Sequence, residues 1–189
     1  MPERHRKQCK RYDNPGDAHC LTFSCLGRRP LLADPHLAAM FCQVLGEARK
    51  KEPFSLWAYV IMPEHIHIVL QPHGGSTISR ILRFIKRPMT DRAILWARQH
   101  DATLLDQLRC DHDDGRVSHH VWLPGGGYDR NLRSPREVHE KIDYVHGNPL
   151  RRRLVSRPED WPWSSYRAWQ MGTNEPISID RDAVPMLRE

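Results

Sequence analysis

The strongest constraint on this chain is a pair of β-forming runs separated by only two residues. Residues 54–62 (FSLWAYVIM) are mostly apolar, aromatic or β-branched, and residues 65–71 (HIHIVLQ) resume the pattern after Pro63-Glu64. Such side chains suit a pleated, half-buried surface. A break this short makes the second run an antiparallel return, closed by Pro72 and the Gly74-Gly75 pair. Alternate residues of a strand face opposite sides. Ile66, Ile68 and Leu70 therefore share one face, and His65 and His67 stand side by side on the other.

Further elements flank this hairpin. Residues 19–26 (HCLTFSCL) predict a strand ending in the turn 27–30. Asp34 caps a helix with Pro35 at its first position, running to about Lys50. A helix from Ser76 carries apolar Ile78, Ile81, Leu82 and Ile85; Pro88 is expected to kink or restart it before a second run through Trp96. Residues 99–118 are polar and turn-rich and predict a loop or short turns. Val121 and Trp122 lead into a Pro-Gly-Gly-Gly turn at 124–127. Ser134-Pro135-Arg136-Glu137 is a capping box that opens a helix ended by Gly147 and Pro149. This order predicts a small α+β domain with an antiparallel sheet. The expected organisation is a basic N-terminal arm at 1–18, one domain at 19–155, and a Trp-rich C-terminal extension at 156–189 packed on it.

The 189 residues suit one domain, and 29 Lys+Arg against 23 Asp+Glu give a net charge of +6. A basic balance favours polyanion partners such as nucleic acid. The longest apolar run, residues 56–62, is far shorter than the ~20 residues of a membrane span. No apolar stretch follows the basic N-terminus, so no secretory signal is read there. Five cysteines without a CxxC pair read as reduced thiols of a cytoplasmic protein.

His65 and His67 are the sharpest candidates for chemistry. Two adjacent imidazoles are a natural half-site for a divalent metal, although a bare HxH is equally at home on a solvated strand face. In the helix opened by Ser134, Val138, Ile142 and Val145 form the apolar stripe. Tyr144 and Asn148, four residues apart, point together from another face with Glu137 and Lys141. A phenol can act as a nucleophile and an amide oxygen can bind a hard cation; the plainer readings are an aromatic at the core edge and a helix C-cap. Tyr128, beside the glycine turn, is a second candidate nucleophile without an amide partner at i+4. Glu64, the one carboxylate beside the HxH, is expected in the turn and facing away from the pair. Arg80, Arg83, Lys86 and Arg87, together with Arg151, Arg152 and Arg153 and the N-terminal arm, can neutralise phosphates. Trp161, Trp163, Tyr166 and Trp169 read as staples for the C-terminal segment rather than as base-stacking platforms.

In order along the chain stand Met62-Pro63-Glu64-His65-Ile66-His67, Phe84-Ile85-Lys86, Val121-Trp122, Gly125-Gly126-Gly127-Tyr128-Asp129-Arg130, Ile142-Asp143-Tyr144-Val145-His146-Gly147-Asn148-Pro149 and Asp160-Trp161-Pro162-Trp163-Ser164-Ser165. This series resembles the REP-associated tyrosine transposases, relatives of the single-tyrosine HUH transposases of bacterial insertion sequences. The likeness extends from about His19 to Trp169. It departs from the family at Leu123, commonly Gln there, and at Pro88 inside the basic helix.

The resemblance implies a ferredoxin-like α+β fold, an antiparallel sheet with helices packed on one face. It also implies cutting and rejoining of single-stranded, hairpin-containing DNA. In that reading His65, His67 and Asn148 hold Mg²⁺ or Mn²⁺, and Tyr144 forms a covalent 5′-phosphotyrosine, in a monomer or homodimer. The base that deprotonates Tyr144 is left open, with metal proximity and Lys141 as candidates. The alternative is a domesticated regulator that binds hairpin DNA without cutting it.

Overall fold

The computed structural model describes residue 14, residues 16–125 and residues 127–187. The basic arm expected at 1–18 falls largely outside these described residues. In chain order the elements are β1 (Ala18–Ser24), α1 (Pro35–Lys51), β2 (Phe54–Ile61), β3 (His65–Pro72), α2 (Ile78–His100), α3 (Ala102–Leu108), β4 (Arg109–Asp111), β5 (Val117–His119), β6 (Tyr128–Leu132), α4 (Pro135–His146), α5 (Asn148–Arg151) and α6 (Tyr166–Met171). Four strands form one antiparallel sheet in the order β2-β3-β1-β6, and β4 pairs with β5 in a separate hairpin. The α+β architecture expected from the sequence is present.

Two layers cover the sheet because it carries apolar side chains on both faces; every residue of β2, although an edge strand, is buried. On one face Ile66, Ile68 and Leu70 pack with Leu37, Phe41 and Leu45 of α1 and with Ile81 and Ile85 of α2. On the other, Cys20, Val60 and Val69 meet Val138, Ile142 and Val145 of α4. The single helical face foreseen above thus holds for α1 and α2, while α4 adds a layer on the opposite side.

Two local expectations are corrected. α2 runs unbroken through Pro88. Burial of Ile85 and Met89 on either side keeps the helix on the sheet. Beside the proline, the Lys86 carbonyl accepts from Thr90 Oγ1 at 2.9 Å and from Trp122 Nε1 at 3.0 Å. Residues 99–118 are not a plain loop. Asp101 accepts from the Leu104 amide at 2.9 Å and caps α3, whose Leu104 and Leu108 are buried. α4 ends at His146 with Gly147 as its C-cap, where the sequence places its end; the cap is right-handed, with φ −77° and ψ −5°, and the short α5 follows at once.

The outer edge of β2 is covered by the C-terminal segment. The Ile61 amide donates to the Trp163 carbonyl at 2.8 Å, and the Ser165 and Asp180 amides donate to the Tyr59 and Leu56 carbonyls at 3.0 and 2.8 Å. The indoles of Trp161 and Trp169 donate to the Ile61 and Trp57 carbonyls. An otherwise unpaired strand edge is thereby satisfied.

At the far edge β6 enters through Gly127, whose φ is +70°. A Cβ there would lie 2.1 Å from the Thr22 carbonyl oxygen on β1. Both conformation and space require glycine. Gly127→Ala is expected to lower unfolding stability by roughly 2–5 kcal/mol, combining a left-handed penalty with overpacking against a backbone. Urea titration followed by circular dichroism measures this; an unshifted midpoint would show that the loop yields freely.

Candidate active site

β3 begins at His65 and turns His65 and His67 toward the face covered by α4. In the sheet register Thr22 lies opposite His67 and Ser24 opposite His65. The two imidazoles are nearly perpendicular, with Nε2 of His65 2.9 Å from Nε2 of His67. The outer nitrogens are tethered: His67 Nδ1 lies 2.7 Å from Thr22 Oγ1, and His65 Nδ1 lies 3.2 Å from Glu64 Oε1. Glu64 therefore supports the pair instead of facing away. It precedes the strand, so period-2 alternation does not govern it, and Arg152 Nη1 grips the same oxygen at 2.7 Å. A carboxylate accepting at Nδ1 fixes the His65 tautomer and leaves Nε2 with its lone pair turned toward His67.

Electrostatics keep both rings neutral. Burial pushes the His67 pKa down to about 3, with His65 adding to the effect. Burial also lowers His65, against the opposing pull of Glu64. For Glu64 burial acts upward, but the hydrogen bond from Arg152 and the charge of Arg152 outweigh it and leave its pKa low. The donor set is thus two neutral imidazoles with an ionised carboxylate behind one of them.

α4 brings Tyr144 to this pair. Ser134 accepts from the Glu137 amide at 3.2 Å and Pro135 occupies the first turn, fixing where the helix starts. The Tyr144 ring stands edge-on to His67 with centroids 5.6 Å apart, and the residue is 42% exposed. Asn148, the first residue of α5, is buried; its Nδ2 donates to the Tyr144 carbonyl at 3.0 Å, leaving Oδ1 as an acceptor. Lys141 Nζ lies 5.2 Å from the Tyr144 ring centroid and the Arg151 guanidinium 4.4 Å from it. Tyr128 pairs with Thr22 from the β6 side, so β1 stands between it and His67.

The basic residues separate into two groups. Arg83, Lys86 and Arg87 line a groove between α2 and the loop bearing Trp122, Leu123 and Gly125. α2 covers the sheet face opposite the histidines, so these side chains do not surround them. Arg80 pairs at 3.0 Å with Glu52, a carboxylate only 1% exposed. Arg151, Arg152 and Arg153 follow Asn148 on the histidine side. Sequence reasoning missed Thr22 and the supporting role of Glu64; neither carries a spacing signal, because both reach the pair through tertiary placement.

No family model matches the chain. The REP-associated tyrosine transposase of Escherichia coli (strain K12) is 23% identical over 158 residues, which is 83% of this chain and 81% of that protein. A Haemophilus influenzae protein given the same family name provisionally is 24% identical over 115 residues, 60% of each chain. The chain is a relative of the REP-associated tyrosine transposases. A solved structure of a REP-associated tyrosine transposase bound to a REP hairpin matches the fold with a TM-score of 0.65 at 21% identity, over 96% of this chain and 99% of that one.

One further histidine fastens the tyrosine helix of this transposase relative. His146 is buried at the end of α4, with Nε2 2.8 Å from Ser165 Oγ and its ring against Tyr166 and Trp169. Burial pushes its pKa down to about 4. In the unfolded chain the group titrates near 6.5, so as the pH falls the unfolded state takes up the proton first. The stability it supports is present above about pH 6.5 and is lost as the pH falls toward about 4. Between pH 7.5 and 5 the native protein should lose on the order of 2 kcal/mol more than His146→Gln. Urea unfolding of both at each pH reads the difference; equal losses would remove His146 as the source.

Proposed function

We propose that this chain is a transposase-like endonuclease and strand transferase, acting in the cytoplasm on single-stranded, hairpin-containing DNA through Tyr144. The observation that carries the reading is the convergence of two neutral imidazole nitrogens on one sheet face beneath an exposed phenol. Its relatives carry the transposase name, and one fold neighbour was solved with a REP hairpin.

The donor set fits a divalent cation. His65 Nε2 and His67 Nε2 face one another while their outer nitrogens are held by Glu64 and Thr22, and the buried Asn148 keeps an unused amide oxygen. These three residues would hold Mg²⁺ or Mn²⁺, which supplies Lewis-acid polarisation of a phosphate at undiminished charge, since all three ligands are neutral. The Tyr144 oxygen attacks the scissile phosphorus; a P–O bond to it forms as the bond to the 3′ oxygen breaks. The proton lost by the phenol is matched by the one the departing oxygen takes up as it leaves as a 3′-OH, while the 5′ phosphate stays on Tyr144. A 3′-OH from another strand reverses the step and rejoins DNA without a nucleotide cofactor, because the phosphotyrosine ester conserves the bond.

Hairpin recognition falls to the basic groups. Arg83, Lys86 and Arg87 offer phosphate contacts in the α2 groove and Arg153 offers one beside the site, whereas Arg80 is drawn toward Glu52 and Arg152 toward Glu64. The alternative, a hairpin-binding regulator that does not cut, needs these cations but has no use for the histidine–tyrosine constellation.

The decisive experiment incubates the protein with a 5′-labelled and a 3′-labelled hairpin oligonucleotide and Mn²⁺ or Mg²⁺. A covalent adduct should appear with one label only and vanish in Tyr144→Phe and in EDTA. Tight binding in EDTA with no cleavage under either metal would favour the regulator. Glu64→Gln should raise the metal midpoint of cleavage about 10–100-fold, the usual consequence of losing a carboxylate behind a ligating histidine. A metal titration of cleavage reads this, and an unchanged midpoint would detach Glu64 from the site.

A further inference from the structure

We infer that Arg151 is the positioning residue for Tyr144 and that residue 147 is glycine in order to seat it. The inference rests on the reading of Tyr144 as the nucleophile. Arg151 grips Tyr144 at two places. Its guanidinium carbon lies 4.4 Å from the ring centroid, inside the range of a cation–π contact. Its Nη2 donates to the Tyr144 main-chain carbonyl. One side chain, seven residues on, thus holds both the ring and the backbone of the same residue.

Gly147 explains how the guanidinium reaches that position. At φ −77° and ψ −5° its backbone conformation is open to any L residue. Conformational freedom is therefore not what the position requires. A Cβ built there would lie 2.7 Å from Arg151 Nη1 and 3.3 Å from the Asp143 carbonyl oxygen. The missing side chain is the space the guanidinium occupies as it folds back over the end of α4.

The neighbouring arginines behave differently. Arg152 is engaged by Glu64, whereas Arg151 has no carboxylate within ion-pair distance among the described residues. The run at 151–153 is therefore not a uniform phosphate-binding strip. Its first member turns inward to the tyrosine. Otherwise the exposed ring of Tyr144 meets the histidine pair only through an edge contact with His67. A planar guanidinium on the ring, anchored at the carbonyl, removes rotational freedom from the phenol and holds it at the histidine face. Preorganisation of this kind acts on the rate of attack and not on hairpin affinity.

The test uses the full chain and the adduct assay under single-turnover conditions. Arg151→Ala should slow adduct formation about 100-fold while hairpin binding in EDTA stays at the native level. Added guanidinium ion should restore part of the rate, and sodium at the same ionic strength should not. Gly147→Ala keeps the charge but fills its seat, and should be slowed without rescue. In protein carrying ¹³C-tyrosine, the Tyr144 ring resonance should move in both variants while those of Tyr59 and Tyr166 stay. A helix-capping role alone would lower the melting temperature without guanidinium rescue and without a displaced ring resonance. That pattern, or a native adduct rate in Arg151→Ala, would overturn the proposal. If Tyr144→Phe still forms the adduct, the nucleophile reading falls instead, and the ring resonance alone decides whether Arg151 clamps Tyr144.

Discussion

The hydrogen bond between Thr22 Oγ1 and His67 Nδ1 depends on the register of β1 against β3, and the rest of the site depends on that register. With Thr22 opposite His67, the hydroxyl meets the outer nitrogen of the imidazole and the inner nitrogen turns to His65. A slip of one residue would exchange the faces of β3. Ile66 and Ile68 would then be brought beneath α4, and the histidines would be driven into the core with α1 and α2. Core packing therefore enforces the geometry of the site. The apolar residues between and beyond the histidines are buried on the opposite face, and they fix the strand as firmly as any polar contact does.

The second constraint is that both sheet faces are apolar. A lone strand of the composition of β2 leaves one side uncovered if helices occupy only the other, and α4 resolves this by packing Val138, Ile142 and Val145 there. Covering the core and delivering Tyr144 are thus one event. The C-terminal segment reinforces it from the edge: Ser165 donates from its amide to the Tyr59 carbonyl and meets His146 through Oγ. A helix carrying the exposed phenol of Tyr144 is held at its C-terminal end by a buried imidazole, and at its N-terminal end by the Ser134 cap.

Much of this was legible in the sequence because it depends on local periodicity. Alternation put His65 and His67 on one face, and the 3.6-residue period separated Tyr144 from the stripe of Val138, Ile142 and Val145. Caps at Asp34 and Ser134 marked where helices begin. What escaped the sequence belongs to tertiary placement. Glu64 reaches His65 because the strand starts after it, so alternation did not apply. Pro88 looked like a break because a proline removes one amide, yet burial on both sides of it outweighs that loss. Gly147 does end α4 as the sequence suggested, but not through the left-handed turn in which glycine commonly ends helices. Its actual neighbour, the Arg151 guanidinium, comes from the following turn and is invisible to a rule about backbone conformation.

Charge distribution refines what a net +6 means here. Much of the positive charge is answered locally: Arg92 by Glu47, Arg130 by Glu137, Arg136 by Glu140, Arg157 by Asp160 and Arg80 by the buried Glu52. Exposed pairs of this kind add little stability, but they remove their cations from the field that a polyanion meets. Arg83 and Arg153, without ion-pair partners among the described residues, carry more of that field than their share of the composition suggests. They lie on different sides of the sheet, one on α2 and one just past α5. A polyanion that engaged both would have to pass around the sheet and not lie across one face of it. A duplex stem is too stiff for such a path over a few base pairs, since its persistence length is about 150 bp, whereas a single strand leaving the stem is not. Under the proposed function, a stem in the α2 groove with its flanking single strand running to Tyr144 would satisfy both groups of cations.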